Sequence, residues 1–76
     1  MYEVLFRLKF IKSNRVIECV FDERLSFNDN FRLLKELTKI NDDFEIYDPD
    51  KKIFLKKEIP IREFGISRFM LLYVFE

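Results

Sequence analysis

The most constraining feature of this sequence is its last segment, Phe69-Met70-Leu71-Leu72-Tyr73-Val74-Phe75, which is apolar at every position. A run this short cannot cross a bilayer, which takes about 20 residues. It suits a strand covered on both faces, in the middle of a sheet. A central strand needs neighbours on both sides, and the rest of the chain has to supply them.

The first segment does so. Val4, Phe6, Leu8 and Phe10 alternate with Glu3, Arg7 and Lys9, with Leu5 on the polar side. That is the period of a strand. A polar turn, Lys12-Ser13-Asn14-Arg15, leads to Val16–Phe21, with Ile17, Cys19 and Phe21 on one face. The two strands read as a hairpin. The period then lengthens. Phe31, Leu34 and Leu37, with Leu33 or Ile40, form a helical stripe, and Arg32, Lys35, Glu36 and Lys39 lie off it. The spacing predicts a helix over roughly residues 27–41. Its cap is either Ser26, with Asp29 three residues on, or Asn28 or Asp29 for a later start. Asn41 is the candidate for a left-handed residue at the helix end.

Phe44–Tyr47 alternates again, and Asp48-Pro49-Asp50-Lys51 has the residues of a turn. Ile53–Leu55 reads as a short strand. The stretch from Ile59 to Ile66 has Pro60 near its start and suits one helical turn, ended by Gly65 at positive φ. The whole is an α+β domain with the order ββαββ, a helical turn, and β. A mixed sheet in the order 2-1-5-3-4 is expected, with one helix on one face and the first and last strands parallel. The expected core is Val4, Phe6, Ile17, Phe31, Leu34, Leu37, Phe44, Leu72 and Val74.

At 76 residues the chain is one domain, residues 1–76. Lys and Arg together number 14, as do Asp and Glu, so the net charge is zero. Nucleic-acid binders usually carry a basic excess, and no nucleic-acid partner is expected. The basic pairs Lys51-Lys52 and Lys56-Lys57 read as a solvated rim, too small a cluster for phosphate binding. The start, MYEVLFRLKF, is alternating and charged, unlike a signal peptide. A reducing cytoplasmic setting, without membrane insertion, is expected. The sequence has no Ala, Trp, His or Gln and is rich in Phe, Ile, Lys and Asn, a bias that suits a low-GC bacterium.

Catalysis is not expected. There is no His, and Cys19 falls on the inward face of its strand, where a thiol is a small inert hydrophobe. With one Cys and no His, no zinc site of the usual kind can form. The acidic residues Asp42, Asp43, Glu45, Asp48 and Asp50 lack the spacing of a calcium loop and read as turn and cap residues. No cofactor is expected.

The outer face of the sheet is the candidate site. With Leu72 and Val74 turned toward the helix, Leu71, Tyr73 and Phe75 point outward, and neighbouring strands add Leu5 and Tyr47. A half-solvated sheet normally places polar residues there. An apolar patch of this kind marks an interaction surface unless Arg7, Lys9 and Arg68 cover it. Leu5, Tyr47, Leu71, Tyr73 and Phe75 are therefore expected to bind a protein partner. The alternative is a second copy of the chain on the same face, giving a homodimer or oligomeric scaffold.

The element order is that of the β-grasp. Ile61, Glu63, Phe64, Gly65 and Ile66 resemble the segment before ubiquitin's final strand, where a Leu, an acidic residue, an aromatic, a left-handed residue and an Ile occur in that order. Within the ubiquitin-like superfamily the chain looks most like the bacterial YukD/EsaB small proteins of type VII secretion systems. Phe21-Asp22-Glu23-Arg24-Leu25-Ser26 resembles their strand-to-helix junction, and Phe64-Gly65-Ile66 resembles their Cys-Gly-Ile. The resemblance implies a non-enzymatic accessory that contacts secretion machinery, and ubiquitin-like folds commonly use the outer sheet face. Modifiers and sulfur carriers of this fold need a Gly-Gly tail. No Gly follows Gly65 here, so conjugation and sulfur transfer are not expected.

Overall fold

Eight consecutive residue pairs join the first two strands, β1 (Glu3–Phe10) and β2 (Arg15–Asp22), from Glu3 opposite Asp22 to Phe10 opposite Arg15. Asn14 closes the turn between them at φ 56°, a left-handed conformation that Asn tolerates better than most residues. The computed structural model describes residues 2–33, 43–65 and 70–76. Its further elements are α1 (Phe27–Leu33), β3 (Glu45–Asp48), β4 (Ile53–Leu55), a 3₁₀ turn (Ile61–Phe64) and β5 (Leu71–Phe75).

The five strands form one sheet in the order β2-β1-β5-β3-β4, as the sequence predicts. The apolar last strand lies in the middle, parallel to β1 and antiparallel to β3. One helix packs on one face. Leu72 and Val74 on β5 are wholly buried, as are Phe6 and Leu8 on β1 and Phe21 on β2. Phe27 and Phe31 of α1 close over them. Phe21 sits at the centre, with ring centroids 5.7 Å from Phe6, 5.9 Å from Phe27 and 5.4 Å from Phe31, each edge to face. Burying such a ring contributes about 1.5–3 kcal/mol, and each edge contact adds roughly 0.5–1.5 kcal/mol.

Two expectations about the core need correction or limit. Ile17 is only half-buried: it packs against the core from β2, an edge strand with no further strand beyond it among the described residues. Leu34, Leu37 and Asn41, with the helix beyond Leu33, lie outside the described residues. The remaining expected core residues, Val4, Phe6, Phe31, Phe44, Leu72 and Val74, are buried, and Phe27, Ile46, Leu55 and Ile61 join them.

Of the three cap candidates, Ser26 starts the helix. Its Oγ accepts the Asp29 N–H at 3.1 Å, and its carbonyl takes the first helical bond from Asn30 at 3.0 Å. This junction is tied to the β4–β5 connection. Ile61 N–H donates to the Leu25 carbonyl, Arg62 N–H to Glu23 and Asn28 N–H to Lys57. Gly65 ends the 3₁₀ turn at φ 63°, the positive value expected of it.

Candidate functional site

The face of the sheet away from α1 is organised by register. Val16 pairs with Lys9, Lys9 with Tyr73, Tyr73 with Tyr47 and Tyr47 with Phe54. Paired residues share a face, so one row of outward side chains crosses all five strands. Tyr47 is its hub. Its ring centroid lies 5.0 Å from Phe54, and 6.2 Å from both Tyr73 and Phe75. Phe54 and Phe75 close the group at 5.9 Å.

The structure brings three of the five candidate residues, Tyr47, Tyr73 and Phe75, into direct ring contact. Leu71 flanks Tyr73 on β5, opposite Arg7. Leu5 lies further along β1, opposite Val20 on β2. Leu5, Tyr47, Leu71 and Tyr73 are half-buried, and Phe75 is 38% exposed. The mutual stacking of the rings accounts for part of that shielding. The Lys9 ammonium adds to it, 6.0 Å from the centre of the Tyr73 ring. Arg7 is exposed beside Leu71, and Arg68 lies outside the described residues. Glu45 borders the group opposite Phe75.

Phe54 belongs to the same group and is its most exposed ring, at 59%. Sequence reading missed it, because a three-residue strand shows too little alternation to assign a face. The signal was the turn. Asp48 Oδ1 accepts the N–H groups of Asp50 and Lys51 at 2.9 and 3.3 Å, and Lys52 turns left-handed at φ 57°. That turn fixes Asp48 opposite Ile53, and therefore Tyr47 opposite Phe54.

The other sequence candidates fall elsewhere. Cys19 is buried on the helix side, and burial pushes its thiol pKa up, away from the reactive thiolate. Among the described residues no group of three His, Cys, Asp or Glu side chains could hold a metal ion, and no helix is long and apolar enough to cross a membrane. Lys57 departs from the expected solvated rim. Its Nζ donates to the Phe44 carbonyl at 2.7 Å and lies 4.7 Å from the Phe44 ring centre, so it fastens β3's entry to the β4 exit.

Solved structures decide the fold family. The chain superposes on a designed protein based on ubiquitin over 96% of its own length and 87% of that chain, with a TM-score of 0.76 and 12% identity. The fold is the ubiquitin-like β-grasp. The ubiquitin-like domain of yeast Ddi1 matches 97% of this chain and 88% of its own, with a TM-score of 0.71 and 12% identity. The C-terminal ubiquitin-like domain of mouse tubulin-specific chaperone e matches 96% of this chain and 84% of its own, with a TM-score of 0.70 and 15% identity. No protein-family model and no curated protein sequence matches the chain.

Proposed function

We propose that this domain is a non-catalytic adaptor that binds another protein through the outer face of its sheet. Leu5, Tyr47, Leu71, Tyr73 and Phe75 make the contact, with Phe54 beside them. The observation that carries the reading is the ring cluster around Tyr47, on a face where a half-solvated sheet would ordinarily be polar. Aromatic side chains are enriched where proteins meet, because they offer large area at small entropic cost. Ubiquitin-like domains commonly act by binding proteins, which supports the same reading.

The more specific role is that of a cytoplasmic accessory of a bacterial type VII-like secretion system, with a subunit of that machinery as partner. It rests on the likeness of residues 21–26 and 64–66 to the YukD/EsaB proteins. Neighbouring genes test it directly. A membrane ATPase and small helical secreted substrates encoded nearby support the role, and their absence from the locus counts against it.

The binding claim is tested by comparing proteins captured from the native cytosol by the wild-type domain and by Tyr73→Glu. The variant should keep its fold and lose a defined partner. Recovery of an identical set of proteins by both would defeat the assignment of this face.

A further inference from the structure

The outer face leaves one buried group without a role, the carboxyl of Asp48 at the β3–β4 turn. Asp48 is wholly buried. Its Oδ1 accepts the Asp50 and Lys51 N–H groups at 2.9 and 3.3 Å. Its Oδ2 is buried and has no hydrogen-bond partner among the described residues. Burying a carboxylate oxygen without a donor costs stability. The turn itself needs only Oδ1, and an Asn or Ser would supply that acceptor without the charge.

The bond that follows Asp48 is suited to attack by such an oxygen. The donors to Oδ1 belong to the residues beyond Pro49, so the turn draws the carboxyl over the Asp48–Pro49 peptide link. The carbonyl of that link accepts the Lys52 N–H at 2.8 Å. That bond polarises the carbonyl carbon and stabilises the charge that attack would place on its oxygen. The leaving nitrogen is that of Pro49, which carries no N–H and departs as a secondary amine, more basic than an ordinary amide nitrogen. Pro49 is half-buried, so protons from solvent reach it. A held nucleophile, a polarised carbonyl and a good leaving group therefore meet at one bond.

We propose that the β3–β4 turn is a self-cleaving site, at which the Asp48 carboxylate hydrolyses the Asp48–Pro49 peptide bond in mild acid. Oδ2 attacks the Asp48 carbonyl carbon and forms a C–O bond. The C–N bond to Pro49 breaks, and the nitrogen takes a proton from solvent as it leaves. Asp48 is then a cyclic anhydride. Water opens it, which restores the side-chain carboxylate, creates a new α-carboxylate and releases two protons. One replaces the proton taken from solvent, and the other charges the new Pro49 amine. The net reaction is hydrolysis, with water as the co-reactant. The cut severs the turn that sets Tyr47 opposite Phe54, while the β1–β5 and β3–β5 ladders hold the pieces together.

The test incubates the purified domain at about pH 5, just above the ordinary carboxyl range. A parallel sample is unfolded in guanidinium chloride at the same pH, and both are read by mass spectrometry under denaturing conditions. Asp–Pro bonds hydrolyse slowly in acid even in unfolded chains, so the unfolded sample supplies the intrinsic rate. The folded domain should yield fragments 1–48 and 49–76 about tenfold or more faster. Asp48→Ser, which keeps a turn acceptor and removes the carboxyl, should not cleave. Pro49→Ala, which restores an ordinary amide nitrogen, should cleave at least several times more slowly than wild type. Circular dichroism at the same pH follows the fold of each sample, and if Asp48→Ser fails to fold, Pro49→Ala decides alone. A folded domain that cleaves no faster than the unfolded chain would overturn the proposal. Cutting after Asp43 or Asp50 at the same rate, or wild-type cleavage by Pro49→Ala, would do so as well.

Discussion

Asn30 of α1 holds Asp22 of β2 by both of its backbone groups. Its Oδ1 accepts the Asp22 N–H at 2.8 Å, and its Nδ2 donates to the Asp22 carbonyl at 3.0 Å. The same Nδ2 also reaches the Ser26 carbonyl at 2.9 Å. One buried carboxamide thus stands in for a strand at the edge and ties the sheet to the start of the helix.

Removing that amide leaves buried backbone groups without partners. Asn30→Ala should cost about 1–3 kcal/mol, the usual penalty for orphaned buried polar groups. Asn30→Asp should be no milder, since a carboxylate accepts but cannot donate to the two carbonyls. Equilibrium urea unfolding measures both, and a midpoint equal to wild type for Asn30→Ala would show that water replaces the amide.

Leu71 and Leu72 are adjacent residues on opposite faces, and they should respond differently. Leu72 is fully buried beneath α1, so Leu72→Ala should cost about 2–5 kcal/mol. In a domain of this size that is a large share of the total stability and can abolish folding. Leu71 is half-buried on the outer face, and Leu71→Ala should cost distinctly less. Thermal unfolding of the pair checks the inward and outward assignment, and equal losses would contradict it.

The sheet order and the face of each long strand were legible in the sequence because they depend on alternation, and β1 and β5 alternate around a core that needs Phe6, Leu8, Leu72 and Val74. The position of β5 followed from its apolar run, since only a central strand is covered on both faces. What the sequence hid depends on register and on side chains that cross between elements. Phe54 joins the ring cluster because a left-handed Lys52 sets the β3–β4 register, and nothing about a lysine announces that conformation. Asn30 is a polar residue one position before Phe31 in the helical stripe, and its partner, Asp22, is eight residues away. Lys51 and Lys57 read as surface lysines, and only the folded chain shows them bonded to the Phe64 and Phe44 carbonyls. For the candidate face, alternation gave Leu71, Tyr73 and Phe75, but the contacts among Tyr47, Phe54 and Phe75 needed the folded hairpin.

Among the described residues, the displaced carboxyl of Asp22 and thiol of Cys19 contribute to the pH dependence of stability. The hydrogen bond from the Arg24 side chain holds the Asp22 carboxyl below its ordinary range, helped by the Arg24 backbone N–H. A depressed carboxyl contributes stability above its unfolded pKa and loses it as pH falls through the folded value. Arg24 is exposed and Asp22 only partly shielded, so the effect should be small and weakened by salt. At the other end, burial raises the Cys19 thiol pKa. The unfolded chain then ionises first, and stability falls as pH rises from the ordinary thiol range through the folded value. Thermal midpoints across pH should form a plateau between the two. Arg24→Ala should shrink the acid-side loss, and Cys19→Val should remove the alkaline-side thiol contribution. A thiol reagent provides a second check: Cys19 should react slowly in the native state and rapidly in denaturant.

The outer face makes the sharpest demand on a single residue. Tyr73 lies on the central strand, stacked on Tyr47 and flanked by Lys9, so it is surrounded by the other candidate contacts. Binding energy concentrates at such central aromatic anchors. Covering apolar surface gains about 25 cal/mol per Å², though association entropy consumes part of it. Tyr73→Glu should leave the domain folded, because the position faces outward and Lys9 lies beside it to accept the charge. It should abolish binding, because the carboxylate would have to be desolvated against an apolar partner. Phe54→Ser should weaken binding without touching the core, since that ring is the most exposed of the cluster. Circular dichroism and sedimentation of the same samples separate the outcomes. A folded monomer that loses only its partner supports the adaptor role. A wild-type dimer that Tyr73→Glu converts to a monomer assigns the face to self-association instead. Unfolding by Tyr73→Glu would mean that the ring cluster is a second core holding β3 and β5 together, and the proposed binding face would fall with it.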